Sequence, residues 1–335
     1  MSLYFDNVVL TEHPEHYQFK VTCAVGKTEA NRWTVTPGAS ERGLHPLEVK
    51  VLDKAGVVLE KAAMELVIVG ADAGAKHAPL RVLMVGDSLT HATHYPNEFY
   101  RLMKLPGNPS LSMIGTHKPP SAMPGVVHEG YGGWTWMNFL SRSVPGEVAA
   151  GEKKKGSSPF LYVGADNKPK LDLERYVAEN AGGTAPDVIT FLLGINDCFG
   201  AKPDDLKAMD AHIEGVLVNA DKLLAAFRAA FPKTAFAVGL TTPPNSRQKA
   251  FEANYQDKYT RWGWKRIQHR LVEKMLARWA TSGTQGIYLV PTELNLDPVG
   301  GYPENNGVHP SPAGYAEVGG TFYAWVKAWL AGQAK

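Results

Sequence analysis

Four short stretches carry side chains or backbone groups whose chemistry is complementary: Gly86-Asp87-Ser88, the run "HEGYGGWTW" from His128 to Trp136, Gly194-Ile195-Asn196-Asp197, and "NNGVHPSPAGY" from Asn305 to Tyr315. Ser88 offers a hydroxyl, the glycines of the second stretch a backbone amide open to approach, Asn196 an amide donor, and His309 an imidazole. This is a complete set for acyl transfer. A serine nucleophile needs a base to take its proton, and the oxyanion of a tetrahedral intermediate needs two or three fixed donors about 3 Å away.

Each residue also has a structural reading. Ser88 after an apolar run is equally the cap of the next helix, and Asn196 with Asp197 equally a turn. Trp134 and Trp136 read as core anchors or as a pocket wall, and His128 and Glu129 as substrate contacts or loop hydrogen bonds. His91 and His94, three apart on a helix expected after Ser88, form a rival metal-binding pair. No acidic or cysteine residue has a spacing that completes such a site, so neither a metal nor a cofactor is expected.

The elements that must position these residues follow from the pattern. From Leu80 onward, "RVLMVGD", "LSMIGTH", "DVITFLLG", "TAFAVGLTT" and "GIYLVP" are short apolar runs, as for strands buried on both faces of a parallel sheet. Helices lie between them. Apolar residues recur at three and four from Asp204 to Phe231, closed by Pro232, and again from Trp264 to Trp279. A last helix begins at Pro310 or Pro312. The expected fold is a three-layer α/β/α sandwich with a mostly parallel sheet over residues 77–335. Residues 1–76 read instead as a small all-β accessory domain, with strands in "YQFKVTCAV", "RWTVTP", "LEVKVLD" and "MELVIVG". In an open parallel sheet, ligands bind beyond the carboxyl ends of the strands, where the four stretches fall.

Composition narrows the class. The 335 residues are 44% hydrophobic and 20% charged, with net charge +2, and the one dense basic run, Lys153–Lys155, reads as a solvated loop, so no nucleic-acid partner is expected. Cys23 and Cys198 fit neither a disulfide framework nor a metal knuckle; Cys198 reads as a buried filler. No window holds 18 uninterrupted apolar residues, so no membrane span is expected. The chain as given carries no export signal, and the compartment stays open, with secretion or the periplasm allowed if a leader was removed.

The order "GDSL", "GGWT", "GIND" and "HPS" resembles the SGNH hydrolases, the GDSL esterase/lipase superfamily, over roughly residues 80 to 335. The resemblance implies Ser88 as nucleophile, His309 as general base, and the Ser88 and Gly133 amides with the Asn196 side chain as oxyanion hole. "HEGYGGWTW" and the aromatic richness further resemble the branch that removes acetyl groups from carbohydrates, which implies a small-molecule or polysaccharide ester as substrate. One position departs from the pattern. The family places Asp three residues before the histidine, and here Asn306 stands there. An amide oxygen still accepts the Nδ1 proton but brings no negative charge; Asp297, Glu304 or a backbone carbonyl of the 292–308 loop are the other candidates to orient His309. Trp134, His128, Phe160 and Tyr162 are the expected substrate contacts, with residues 143–186 folding over the site. A lipase or thioesterase is the nearest alternative, and a glycan-binding pseudoenzyme the alternative from another class.

Overall fold

The computed structural model describes residues 1–144, 147 and 156–333. The N-terminal region holds strands β1 (Ser2–Tyr4), β2 (Gln18–Thr22), β3 (Lys27–Thr28), β4 (Arg32–Thr34), β5 (Gly43–Leu52) and β6 (Val58–Ile68), one α-helical turn, α1 (Phe5–Val8), and 3-10 turns at Pro14–His16 and Ala39–Glu41. They pair as two antiparallel sheets, β1-β4-β3 and β2-β5-β6. Period two decides the covered face of β5: Leu47, Val49 and Val51 are buried while Glu48 and Lys50 stay partly exposed. Leu47 and Val49 join Leu3, Phe5, Val25, Trp33, Val35 and Ile68 in an apolar cluster of their own. β1 and β3 are too short to show alternation in the sequence. β6 begins at Val58 rather than near Met64, because exposure of its first residues leaves no apolar period to read.

These sheets dock on the C-terminal half of the chain. The Tyr4 N–H donates to Leu294 O at 3.0 Å, and Asn7 Nδ2 donates to Glu293 O and Leu296 O, both at 2.8 Å. The nearly buried Lys265 ammonium pairs with Asp6 at 2.6 Å. A buried ammonium left alone would be costly, so this pair holds the two regions in one arrangement.

The central sheet is built from β7 (Leu80–Gly86), β8 (Leu111–Ile114), β9 (Glu129–Gly130), β12 (Val188–Leu192), β13 (Ala235–Gly239) and β14 (Ile287–Val290), in the order β14-β13-β12-β7-β8, with β9 beside the end of β7. All pairs are parallel. β12 and β13 are buried throughout, and each fully buried Val, Leu or Phe contributes about 1.5–3 kcal/mol. A separate hairpin, β10 (Leu161–Val163) with β11 (Pro169–Leu171), lies between β9 and β12 in sequence.

The helices are α2 (Ser88–His91), α3 (His94–Met103), α4 (Trp136–Ser141), α5 (Leu173–Asn180), α6 (Ile195–Cys198), α7 (Leu206–Ala230), α8 (Gln248–Tyr255), α9 (Arg261–Trp279) and α10 (Pro312–Gln333). α7 buries Met209, Ile213, Val216, Leu217, Ala220, Leu223, Leu224 and Phe227 along one stripe, and Asp205 caps it by accepting the Ala208 N–H at 2.9 Å. α3 packs on α10, while α4, α5 and α9 pack on α7. The chain leaves β7 toward β8 and leaves β12 toward β13, in opposite directions along the sheet. Right-handed crossovers then set these helices on opposite faces and open a crevice at the carboxyl ends of β7 and β12.

One expected element is broken. His91 closes α2 and His94 opens α3, with Thr93 in the left-handed region at φ 67° between them, so the two histidines do not share a helix face. The Lys153–Lys155 run lies outside the described residues. So does part of the expected cover over residues 143–186.

Candidate active site

Strand β7 ends on Gly86, where a Cβ would lie 1.9 Å from Thr90 Oγ1 and 2.9 Å from Leu192 O. Only glycine permits so sharp a passage from strand to α2. Asp87 then caps α2, its carboxylate accepting the Leu89 N–H at 2.9 Å, and burial pushes its pKa up to about 7. Ser88 is the first helical residue, so its N–H has no acceptor within the helix.

Ser88 Oγ lies 2.8 Å from His309 Nε2 across 221 residues of sequence, and His309 Nδ1 lies 3.1 Å from Asn306 Oδ1. The same Oδ1 receives the backbone N–H groups of Val308 at 3.1 Å and His309 at 2.9 Å. Two obligate donors therefore identify this atom as the amide oxygen, so His309 Nδ1 must be the third donor. The proton is on Nδ1 and the lone pair on Nε2, facing the Ser88 hydroxyl. Burial holds the His309 pKa below the ordinary histidine value. Asp297 is occupied elsewhere, accepting the Val299 and Gly300 N–H groups at 2.9 Å, and Glu304 is exposed.

The glycine loop is held from several sides. Gly133 has φ +77° with open space where a Cβ would project, and its N–H has no partner among the described residues. Asn196 Nδ2 donates to Trp134 O at 3.1 Å, and Asp197 Oδ1 accepts the Trp136 N–H at 3.1 Å. Adjacent residues after β12 thus pin both ends of Trp134-Thr135-Trp136. Asp197 is partly buried, its other oxygen is shielded and unpartnered among the described residues, and desolvation pushes its pKa up to about 7. At the start of the loop, the buried Glu129 accepts from Thr116 N–H at 2.6 Å and from the Tyr131 and Tyr176 hydroxyls at 2.5 Å each. Burial raises its pKa.

The expected substrate contacts fare differently. Phe160 has no exposed surface and packs edge-on against Tyr176 and Phe227, because the chain past residue 156 turns into the core. Tyr162 is buried and donates to Glu179. His128 is fully buried: Nδ1 accepts the Gly130 N–H at 3.0 Å, while Nε2 meets Thr93 Oγ1 at 3.1 Å, whose own proton goes to His91 O. Nε2 is therefore protonated and both ring nitrogens are taken, so His128 is a loop anchor. Trp134 is only 5% exposed, its ring against Tyr131 and Phe139, and what it turns to Asn196 is its carbonyl. Trp136 stacks on Phe191 as a core anchor, and Cys198 is buried, its thiol pKa pushed up.

The sequence reading missed Asn245. It follows β13, is fully buried, and donates from Nδ2 to Pro303 O at 2.8 Å and Asn306 O at 3.0 Å, and from its backbone to Gly307 O at 2.9 Å. It fixes the loop bearing Asn306 and His309. Extending the inspection of strand ends to "TTPPN" would have found it.

His91 Nδ1 meets His117 Nε2 at 2.8 Å, and the His94 ring lies against Tyr315. Among the described residues, the side chains close enough together to hold an ion are His13, Glu15 and His16, exposed in the N-terminal region. A cavity of about 950 Å³ lined by Arg228, Phe236, Trp279 and Trp329 lies at the start of β13 and β14, the end of the sheet opposite Ser88.

An α/β/α sandwich with a serine–imidazole pair at the carboxyl edge of its parallel sheet is arranged for acyl transfer, and the family match makes the protein a carboxylic ester hydrolase. The chain belongs to the GDSL-like lipase/acylhydrolase family, which it matches over residues 84–317. Similar solved structures include a Clostridium thermocellum family 3 carbohydrate esterase, at 18% identity and TM-score 0.48, covering 77% of this chain and 100% of that one. An acetyl esterase mutant with acetate ion is similar at 17% identity and TM-score 0.46, covering 75% and 98%. A Corynascus carbohydrate esterase family 2 enzyme with a carbohydrate binding domain is similar at 15% identity and TM-score 0.39, covering 94% and 87%. Comparison with curated proteins gives no match. No described helix is long and apolar enough to cross a membrane.

Proposed function

We propose that this hydrolase is a serine esterase that removes small acyl groups, acetyl first among them, from carbohydrate esters through an acyl-enzyme. Ser88 Oγ attacks the ester carbonyl carbon while its proton passes to His309 Nε2. The oxyanion is met by the Ser88 and Gly133 amides and the second N–H of Asn196 Nδ2. As the intermediate collapses, His309 returns the proton to the leaving alkoxide; water then repeats the cycle on the acyl-enzyme. Asn306 holds His309 in the tautomer this requires. The observation that carries the reading is the 2.8 Å contact of Ser88 Oγ with His309 Nε2, with the lone pair assigned to Nε2 by the Asn306 contacts.

The acetyl and carbohydrate parts rest on the resemblance of "HEGYGGWTW" to carbohydrate acetylesterases. In the same reading residues 1–76 are an accessory domain that buttresses the catalytic unit, 77–335, supported by the bonds from Tyr4 and Asn7 to residues 293–296. The test is acetate release from p-nitrophenyl acetate and from acetylated xylan or pectin, with wild type and Ser88→Ala in parallel. Activity that vanishes with Ser88 is expected; activity equal in both proteins sinks the proposal. Asn306 in the acid's position favours one other reading, a glycan binder without turnover. A folded wild type that binds glycan yet resists labelling of Ser88 by a phosphonate would establish it.

A further inference from the structure

Strand β6 is an edge. It pairs with β5 on one side, and among the described residues its other side pairs with nothing. The strand is 11 residues long and exposed without a break from Val58 to Glu65, with Leu59 49% and Met64 45% exposed, and Val67 50% exposed further along. A long unpaired edge with exposed apolar side chains at Val58, Leu59, Met64 and Val67 is a template for adding another strand.

We propose that β6 pairs antiparallel with β6 of a second copy of this chain, joining the two β2-β5-β6 sheets into one six-stranded sheet about a two-fold axis. Side chains opposite one another across two strands share a face, so a two-fold pairing must centre on a residue. Only a centre at Ala63 overlaps the whole strand. That register sets Lys61 opposite Glu65 of the second copy, twice by symmetry, with Ala62 opposite Met64. Centring on Ala62 instead sets Lys61 against Ala63, and centring on Met64 sets it against Val67; neither matches the charge. Lys61 and Glu65 lie on the face away from the core, with Lys50 and Glu48 of β5, and Glu48 is already paired with Lys50 at 2.9 Å. Among the described residues neither Lys61 nor Glu65 forms an ion pair, Lys61 adding only a longer-range attraction to Glu48, and the second copy supplies a direct partner for each. A β-bulge at the Val58 end, opposite Val51 and Leu52, falls at the limit of the overlap and disturbs only the outermost pairs.

Sedimentation equilibrium on the full chain is the first measurement, with a concentration-dependent dimer expected. Lys61→Glu and Glu65→Lys each set like charges opposite one another twice, and each should weaken the dimer roughly tenfold or more. The double variant restores opposite charges and should recover the wild-type constant. In a Cys23→Ser background, Ala63→Cys places two thiols across the axis and should cross-link two copies under mild oxidation, whereas Val67→Cys should not. A chain monomeric to roughly 100 µM overturns the proposal. So does a dimer indifferent to both single reversals, or one that cross-links through Val67→Cys and not Ala63→Cys. None of these readings depends on the ester chemistry.

Discussion

Asn306 Oδ1 and His309 Nδ1 stand 3.1 Å apart, and the same oxygen is held by the backbone N–H groups of residues 308 and 309. Where an amide simply replaces a triad carboxylate, much of the loss comes from the imidazole adopting the wrong tautomer. Here the amide cannot turn its NH₂ toward the ring without facing two backbone donors. The orienting role is kept and only the negative charge is missing.

Two substitutions separate these contributions. Asn306→Ala removes the acceptor and should lower kcat by about 10²–10⁴. Asn306→Asp adds the charge, so the acid limb of kcat/KM, set below the ordinary histidine value in wild type, should move up by about 1 pH unit or more. Acid limbs that coincide in wild type and Asn306→Asp would show that His309 does not govern the profile.

Asn245 holds the backbone at 303, 306 and 307 from outside the reacting atoms. Asn245→Ala leaves two partly buried carbonyls without their donor and should cost about 1–3 kcal/mol in chemical denaturation. Because His309 then loses its fixed position, kcat should fall more than about tenfold in the protein that remains folded. Unchanged kcat would make Asn245 a stability residue alone.

His128 should make the fold acid-sensitive. Burial depresses its pKa to about 3, while the unfolded chain titrates near 6.5, so the unfolded state binds the extra proton first as pH falls. Its neutral form is compatible with the fold above about 6.5; below that, stability falls by about 1.4 kcal/mol per pH unit until the folded pKa is reached. The wild-type minus His128→Gln difference in unfolding free energy should show this slope. A flat difference from about pH 6.5 to 4 rejects it.

Asp197 acts in the opposite direction. Its folded pKa of about 7 lies above the unfolded value of 3.8, so the folded state keeps its proton longer and stability is lost as pH rises through that window. Asp197→Asn keeps an oxygen for the Trp136 N–H and no longer ionises. Its thermal stability relative to wild type should rise between about pH 4 and 7 and level off above, and a pH-independent difference would contradict the assignment.

Features that depend on neighbours in the chain were legible. The α7 stripe, its closure before Pro232, the paired glycines and the placement of Ser88 and Asn196 after strands all follow from spacings of a few residues. Asn245 was not, because its partners lie 58 to 61 residues away and are backbone carbonyls that any sequence would supply. His128 and Phe160 were misread for a related reason: an imidazole or a phenyl ring near a glycine loop serves a pocket or a core equally well. What decides is whether water reaches it.

By itself, the sequence determined the class of chemistry, since side-chain types and their order past successive apolar runs limit which groups can meet at a sheet edge. It also determined that no carboxylate stands at position 306. Only the tertiary structure decided what that replacement means. Which atom of Asn306 faces His309, and hence which nitrogen of the imidazole faces Ser88, is set by backbone N–H groups that converge only when the 306–309 turn is closed and held from Asn245. Hydrogen-bond direction is a property of that geometry, and no residue letter encodes it.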